Sequence, residues 1–456
     1  MGEKQIPEDA YYGIHTARSL ENFKISGLRF QKQFCRALAA IKLSCAKANL
    51  ELNLLESRKA RAITAACNEI MQGKLLEHLS LDIFQAGSGT STNMNFNEVI
   101  ANRALEILDE KKGSKSIIHP NDDVNKGQST NDIIPTAMRI ASYALLLELL
   151  EITENLHETL LKKAEDFKRI IKSGRTHLQD AVPITLGQEF RAYADAISKD
   201  IQRLKDNEKF VRRLSIGGNA VGTGLNTYPE FHGIVIKYIN EVTALVFEAS
   251  EDKIEGVQFL TDIAALSSSL KMLSLDLNKI SNDLRLLSSG PNTGLKEINL
   301  PAVEPGSSIM PGKINPSVAE ALNMVCYKVQ GNDLAISTAC QAAQFELNTN
   351  MPLIAYSIIE SLEILKNAIK TFDEKCVSGI TANEEICRGY FESSMGIATA
   401  LNPYLGYDKV AEIVKEAVKQ KKTIREIILE KKYMDKKLVD ELLDPETITK
   451  PNLKRK

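Results

Sequence analysis

From Phe259 onward the large apolar residues of this chain fall at Ile263, Leu266, Leu270, Leu273, Leu277, Ile280, Leu284 and Leu287, in steps that alternate between four and three. That alternation is the seam of a helix packed in left-handed fashion against its neighbours. It predicts a single helix about 42 Å long at 1.5 Å per residue. A second face runs from Ile140 through Leu146, Leu149, Leu156, Leu160, Ala164 and Phe167 to Ile171, with no Pro or Gly to interrupt it. A third helix is expected to begin at Asn315-Pro316, since Asn caps helix N-termini well and Pro suits the first helical position. It should continue through Ala321, Val325 and Val329. Seams this long must bury against one another. The pattern therefore predicts an all-α fold built on a central bundle of long helices, with association between chains; a structural coiled-coil rod is the plainer alternative.

Three segments separate along the chain. Residues 1–128 mix helical stretches with polar, Gly-containing loops, 129–383 carry the long helical patterns, and 384–456 are shorter-ranged, with turn signals at LNPYLGYD and DPETITKP. They are expected as an N-terminal domain, a central bundle domain and a small C-terminal helical domain.

Composition narrows the class. The 456 residues include only 25 Gly and 14 Pro and no Trp, too few breakers for a β-sandwich, a propeller or a disordered chain. Lys plus Arg (57) nearly balances Asp plus Glu (59), so no strong field favours nucleic acid or anionic lipid. The closing Lys454-Arg455-Lys456 reads as a solvated tail. Seven cysteines (Cys35, Cys45, Cys67, Cys326, Cys340, Cys376 and Cys387) contain no CxxC, which fits reduced thiols rather than disulfides or a zinc site. The charged opening MGEKQIPEDA lacks a signal peptide's apolar core, and Ile6 stands where a myristoylation signal needs Ser or Thr. No apolar run approaches the ~18 residues of a membrane span. A cytoplasmic protein is expected.

Chemistry must then lie in four polar stretches. QAGSGTSTNMNFNE (85–98) is crowded with hydroxyls and amides, and is otherwise a linker or a helix cap. HPNDDVNKGQSTND (119–132) holds Ser129, Thr130 and Asn131, which could cap the next helix and equally present its N-terminus to an anion. GRTHLQDAVPITLGQ (174–188) places His177 beside Thr176, at the end of a long helix. The stretch 288–316, SSGPNTGLKEINLPAVEPGSSIMPGKINP, is rich in Gly and Pro between two strong helical patterns, as expected of a lid or binding loop. Some motifs fail. Gly306 to Lys313 has one residue too many between its glycines for a P-loop, and Ile314 where Ser or Thr belongs. GGNAVGTG (217–224) follows a charged helical pattern rather than a buried strand, so it is not a dinucleotide fingerprint. HETLL (157–161) lacks the second His of HExxH. No metal cluster and no cofactor are expected. The remaining set of hydroxyls, amides, one His and Lys313 suits a small dicarboxylate that gains negative charge during reaction.

GSSIMPGKINP (306–316) resembles the GSSxMPxKxNP signature of the aspartase/fumarase superfamily. The likeness extends to GTSTNMN (89–95), QSTND (128–132) and GRTHLQDA (174–181), and covers essentially the whole chain. AYYGIHTARSLENF (10–23), GTSTNMN and QSTND are similar to the ammonia-lyase branch, whereas VNKGQS (124–129), VEPGSSIMPGK (303–313) and QFELN (344–348) lean toward the fumarase branch. The resemblance implies an all-α, three-domain subunit in a homotetramer, with composite sites drawn from three subunits. It implies elimination of ammonia from L-aspartate to give fumarate, with hydration of fumarate to malate as the alternative. It further implies Ser307 as general base and Thr90, Ser129, Thr130 and Ser308 as donors to the β-carboxylate. Lys313, Asn315 and Thr176 would hold the α-carboxylate, Asn131 and His177 would face the leaving amine, and Glu320 would pair with His177. HPND (119–122) resembles a second anion site.

Overall fold

The computed structural model describes residues 2–451; Met1 and the closing Lys454-Arg455-Lys456 lie outside the described residues. The fold is all-α. Helices α1 (Ile14–Asn22), α2 (Lys32–Glu51), α3 (Ser57–Met71) and α4 (Thr90–Ile107) precede the long α5 (Thr130–Asp166). A hairpin of β1 (Ile171–Thr176) and β2 (Gln179–Thr185) leads into α6 (Leu186–Val211). Then come β3 (Arg213–Leu214), α7 (Phe231–Thr243), β4 (Glu248–Ala249), α8 (Lys253–Gln258) and α9 (Thr261–Leu287). After β5 (Ile298–Asn299) follow α10 (Ser317–Gln341), α11 (Met351–Lys375), β6 (Thr381–Ala382) and the short helices α12 (Glu384–Ser393) to α17 (Pro445–Ile448). The small strands pair β1 with β2, β3 with β4 and β5 with β6.

The chain condenses into two compact units. One holds Met1–Glu151, Gln202–Ser274 and Cys326–Lys366; the other holds Ile152–Ile201, Leu275–Val325 and Asn367–Lys456. This division differs from the three sequence segments because α5, α6, α9, α10 and α11 each contribute residues to both units.

On α9 the seam from Ile263 to Leu287 is buried throughout, as the spacing predicts. Its first member is not part of it. Phe259 lies between α8 and α9 and is 52% exposed, while Leu260 takes the buried place. Ser267, Ser274 and Ser281 recur at every seventh position and are buried as well. Ser281 Oγ donates to the Ala319 carbonyl of α10 at 2.7 Å, a small side chain permitting close helix approach. The second face also needs correction at its end: α5 stops at Asp166, and Ile171 is buried from strand β1. α5 is apolar and long enough to cross a membrane by composition, contrary to the expectation that no run is; 83% of its most apolar window is buried within the fold. On α10 the buried face is Ala319, Leu322, Cys326, Val329 and Ile336, so of the expected residues only Val329 is fully inside. The helix starts at Ser317. Asn315 does not cap it, but donates Nδ2 to the Gly306 carbonyl at 2.8 Å. All seven cysteines are free thiols.

The first unit has an unusual polar centre. Lys42 lies on the face of α2 that buries Leu38, Ile41 and Cys45, and it is itself fully buried. Its Nζ donates to Asn93 Oδ1 (2.7 Å), Asn125 Oδ1 (2.8 Å) and Gln128 Oε1 (2.9 Å). Three acceptors match the three N–H bonds of an ammonium, although burial pulls the group down to about 7 from its ordinary 10.5. Because the unfolded chain holds this proton to higher pH than the folded one, stability rises with pH between about 7 and 10.5. Replacing Lys42 by Met strands the buried oxygens of Asn93 and Gln128, while Asn125 Oδ1 keeps the Asn93 Nδ2 donor. It should lower stability by on the order of 3 kcal/mol, and calorimetric melting across pH 7 to 10.5 should show the alkaline gain flattened relative to the parent protein.

Candidate active site

The start of α5 carries the first group of expected site residues. Ser129 caps the helix: its Oγ accepts from Asn131 N at 3.3 Å, and its own N donates to Asp132 Oδ1 at 2.9 Å. This reciprocal arrangement leaves the first turn of the helix fixed. Asp132 is fully buried, and its other oxygen accepts from Gly217 N (3.0 Å) and Asn219 N (2.8 Å). Burial pushes its carboxyl up to about 6 in spite of these donors. Gly217 and Asn219 of the glycine-rich 217–224 stretch are thus engaged with an internal carboxylate.

Thr90 opens α4, beside a left-handed Ser88-Gly89 pair. A Cβ at Gly89 would stand only 3.0 Å from Ile134 in the first turns of α5, so the two helix starts lie side by side. One turn into α4, Asn93 Nδ2 donates to Thr130 Oγ1 at 3.0 Å. Since Thr130 Oγ1 accepts there, its own proton is available to a ligand. Asn131 donates Nδ2 to the Ala220 carbonyl at 2.7 Å, which leaves its Oδ1 as the acceptor on offer. Thr90, Ser129, Thr130 and Asn131 are therefore brought together at two helix N-termini, where amide dipoles favour negative charge.

The remaining residues belong to the second unit. His177 does not end a helix. Thr176 pairs with Gln179 across a two-residue turn of His177 and Leu178, both left-handed (φ 55° and 59°) and exposed. Non-glycine residues in that region signal local strain. The loop bearing Ser307 closes on itself. Gly306 N donates to the Lys313 carbonyl at 2.8 Å, and a Cβ at Gly306 would come within 2.6 Å of that oxygen. Inside this ring Ser307 Oγ accepts from Ile309 N (3.2 Å) and Met310 N (3.1 Å), with Ser308 exposed next to it. Lys313, Asn315 and Glu320 line a pocket of about 910 Å³ together with Arg285 and Lys296. The three cations outnumber the one carboxylate in this lining, a balance that favours anions.

Glu320 departs from its expected partner. It faces Arg285 at 3.6 Å, and among the described residues no hydrogen bond or ion pair within the chain joins it to His177. The HPND turn is also self-occupied: Asn121 N and Asp122 N both donate to His119 Nδ1 at 3.2 Å. No His, Cys, Asp and Glu cluster that could hold a metal occurs among the described residues. Lys42, Asn93, Asp132 and Arg285 were not singled out in the sequence. The available signal for Lys42 was its place on an apolar helical face, where a lysine must find internal acceptors.

Residues 2–331 match the family model described as Lyase, and 397–450 match the fumarase C C-terminus. An aspartate ammonia-lyase of Helicobacter pylori is 45% identical over 458 residues, spanning 100% of this chain and 98% of that protein. The aspartate ammonia-lyase of Escherichia coli K12 is 42% identical, over 100% and 96%. Among solved structures, a fumarate lyase:delta crystallin from Brucella melitensis bound to cobalt superposes with a TM-score of 0.93 at 44% identity, covering 99% of this chain and 98% of that one. A class II fumarase from Schistosoma mansoni gives 0.92 at 38%, covering 97% and 96%. With motifs, helical fold and full-length likeness in agreement, the chain belongs to the aspartase/fumarase family of lyases, as a carbon–nitrogen lyase.

Proposed function

We propose that the protein catalyses the reversible elimination of ammonia from L-aspartate to give fumarate, with Ser307 as the base. The observation that carries the base assignment is the pair of backbone N–H groups aimed at Ser307 Oγ. A serine is a poor base unless its oxyanion is stabilised, and two amide donors on a closing loop supply that stabilisation. The choice of aspartate rests on the relatives named aspartate ammonia-lyase.

The chemical difficulty is the weakly acidic Cβ proton, whose removal places a second negative charge on the β-carboxylate. Donors that bind this aci-carboxylate more tightly than the substrate lower the barrier. Thr90, Ser129 and Thr130, at two helix N-termini, would provide them, with Ser308 added from the loop. Lys313, Asn315 and Thr176 would hold the α-carboxylate, and the Oδ1 of Asn131 would accept from the leaving amine beside His177. Glu320, paired with Arg285 inside its own chain, would reach His177 of a neighbouring subunit. This calls for a homotetramer with shared sites. The exposed Met324, Tyr327 and Leu334 of α10 are apolar surface suited to that association. A mass in solution near four times 50.5 kDa is expected.

A second reading, hydration of fumarate to malate, is favoured by the likeness to the class II fumarase. Incubation with L-aspartate and, separately, with L-malate distinguishes the two by the ultraviolet absorbance of fumarate. Aspartate should give fumarate; turnover of malate alone would overturn the proposal. Ser307→Ala should lower kcat by about 10²-fold or more while fumarate still binds as an inhibitor, and an unchanged kcat would remove Ser307 from the chemistry. Lys313→Met should raise KM for aspartate by about tenfold or more, through loss of a charge-assisted contact. An unaltered KM would contradict that role.

A further inference from the structure

Lys172, in β1, is buried as deeply as Lys42 but solves the problem differently. Its Nζ lies 2.8 Å from Glu189 Oε1 and 2.9 Å from Glu297 Oε2, and Glu297 is itself wholly enclosed. Arg175, three residues along the same strand, donates Nη2 to Glu297 Oε1 at 2.9 Å and lies over the Tyr390 ring at 5.4 Å. In a regular strand, residues three apart point to opposite faces. Here the register slips at Gly174, where Ala181 and Val182 together face one residue, and the added twist lets both cations reach one carboxylate. Only glycine fits at that point, because a Cβ would meet the Val182 carbonyl at 2.4 Å.

Glu297 is also where the 288–316 loop leaves the body of its unit. Its N donates to the Leu287 carbonyl at the end of α9, and its carbonyl accepts from Asn383 N at 2.9 Å. The next two residues form β5, paired with β6; from Ala302 through Ile314 the chain is mostly exposed. The mechanism above uses none of these buried charges. Lys172 and Arg175 are matched by Glu297 and Glu189, with Asp283 nearby engaged by the Tyr193 hydroxyl. The strained His177-Leu178 turn persists only if its surroundings hold it, and this cluster lies at the base of its hairpin.

We propose that Lys172, Arg175 and Glu297 form a positioning clamp that fixes the hairpin tip carrying Thr176 and His177 to the root of the loop carrying Ser307. It rests on the assignment of those residues to the substrate site. The clamp touches no substrate; it acts by holding both pieces to the body of their own subunit, so that each is delivered in register to the shared site it completes, where a displacement near 1 Å costs about 10²-fold in rate.

Glu297→Gln, which preserves shape and removes charge, tests this in the full-length protein. Amide hydrogen exchange at residues 175–179 should quicken by about tenfold or more, with exchange in α14 (Tyr407–Gln420) unchanged. kcat/KM for L-aspartate should fall about 100-fold, and Glu297→Asp should recover part of it. Unchanged exchange at the hairpin tip, or wild-type kcat and KM, would overturn the clamp. Exchange that quickens equally in α14 would also overturn it, as general destabilisation. If Glu297→Gln does not fold, the same criteria apply to Lys172→Met/Glu297→Gln, which leaves Arg175 balanced by Glu189. A fully active Ser307→Ala would defeat the base assignment separately, while the exchange measurement would still decide whether the clamp exists.

Discussion

The seam along α9 is the constraint from which much of this structure follows. Leucine and isoleucine at alternating three- and four-residue steps cannot face water over so great a length, so helices must run alongside one another. The buried serines at every seventh position sharpen this arrangement. They give up apolar volume in exchange for close backbone approach, and their hydroxyls are satisfied by neighbouring groups such as the Ala319 carbonyl and the Asp333 carboxylate. With the helix sides committed to packing, hydroxyls, amides and glycines gather at helix ends and in connecting loops. Those are the places where unpaired amide N–H groups are available to an anion.

Two lysines are enclosed by this packing, and they illustrate two ways of keeping a cation inside. Lys42 is met by neutral amide oxygens, close to the helix start that bears Ser129 and Thr130, and burial makes its proton easier to lose. Lys172 is met by carboxylates, so its cluster is near neutrality and mainly geometric in effect. Neither arrangement is cheap in a low dielectric. That both occur in parts of the chain connected to the proposed chemistry argues that they serve orientation more than cohesion.

Much of this was legible from the amino-acid sequence, for reasons particular residues make plain. The α9 seam and the capping role of Ser129 follow from period and cap chemistry alone. Phe259 fits the same period yet lies outside, because periodicity cannot detect that the chain breaks between α8 and α9. Asn315-Pro316 has the composition of a helix start, but the asparagine side chain is drawn to Gly306, a competition that local sequence does not reveal. The hairpin carrying His177 was missed since its turn lacks the Asn-Gly or Asp-Gly that normally announces one. Lys42 and Asp132 stayed hidden because a charged residue in a helical pattern ordinarily means solvent, and only tertiary packing shows otherwise.

The ring formed when Gly306 meets Lys313, and Asn315 meets Gly306, bears on how fast and how tightly the site could shut. A loop that had to order ten residues around its ligand would lose about 1 kcal/mol or more of backbone entropy per residue at that moment. Here the segment from 306 to 315 already carries its own hydrogen bonds, with Ser307 facing its amide donors. In the proposed mechanism, closing would then move a pre-folded piece rather than order a chain. Substrate binding energy that would otherwise be lost to ordering that chain remains available for the transition state.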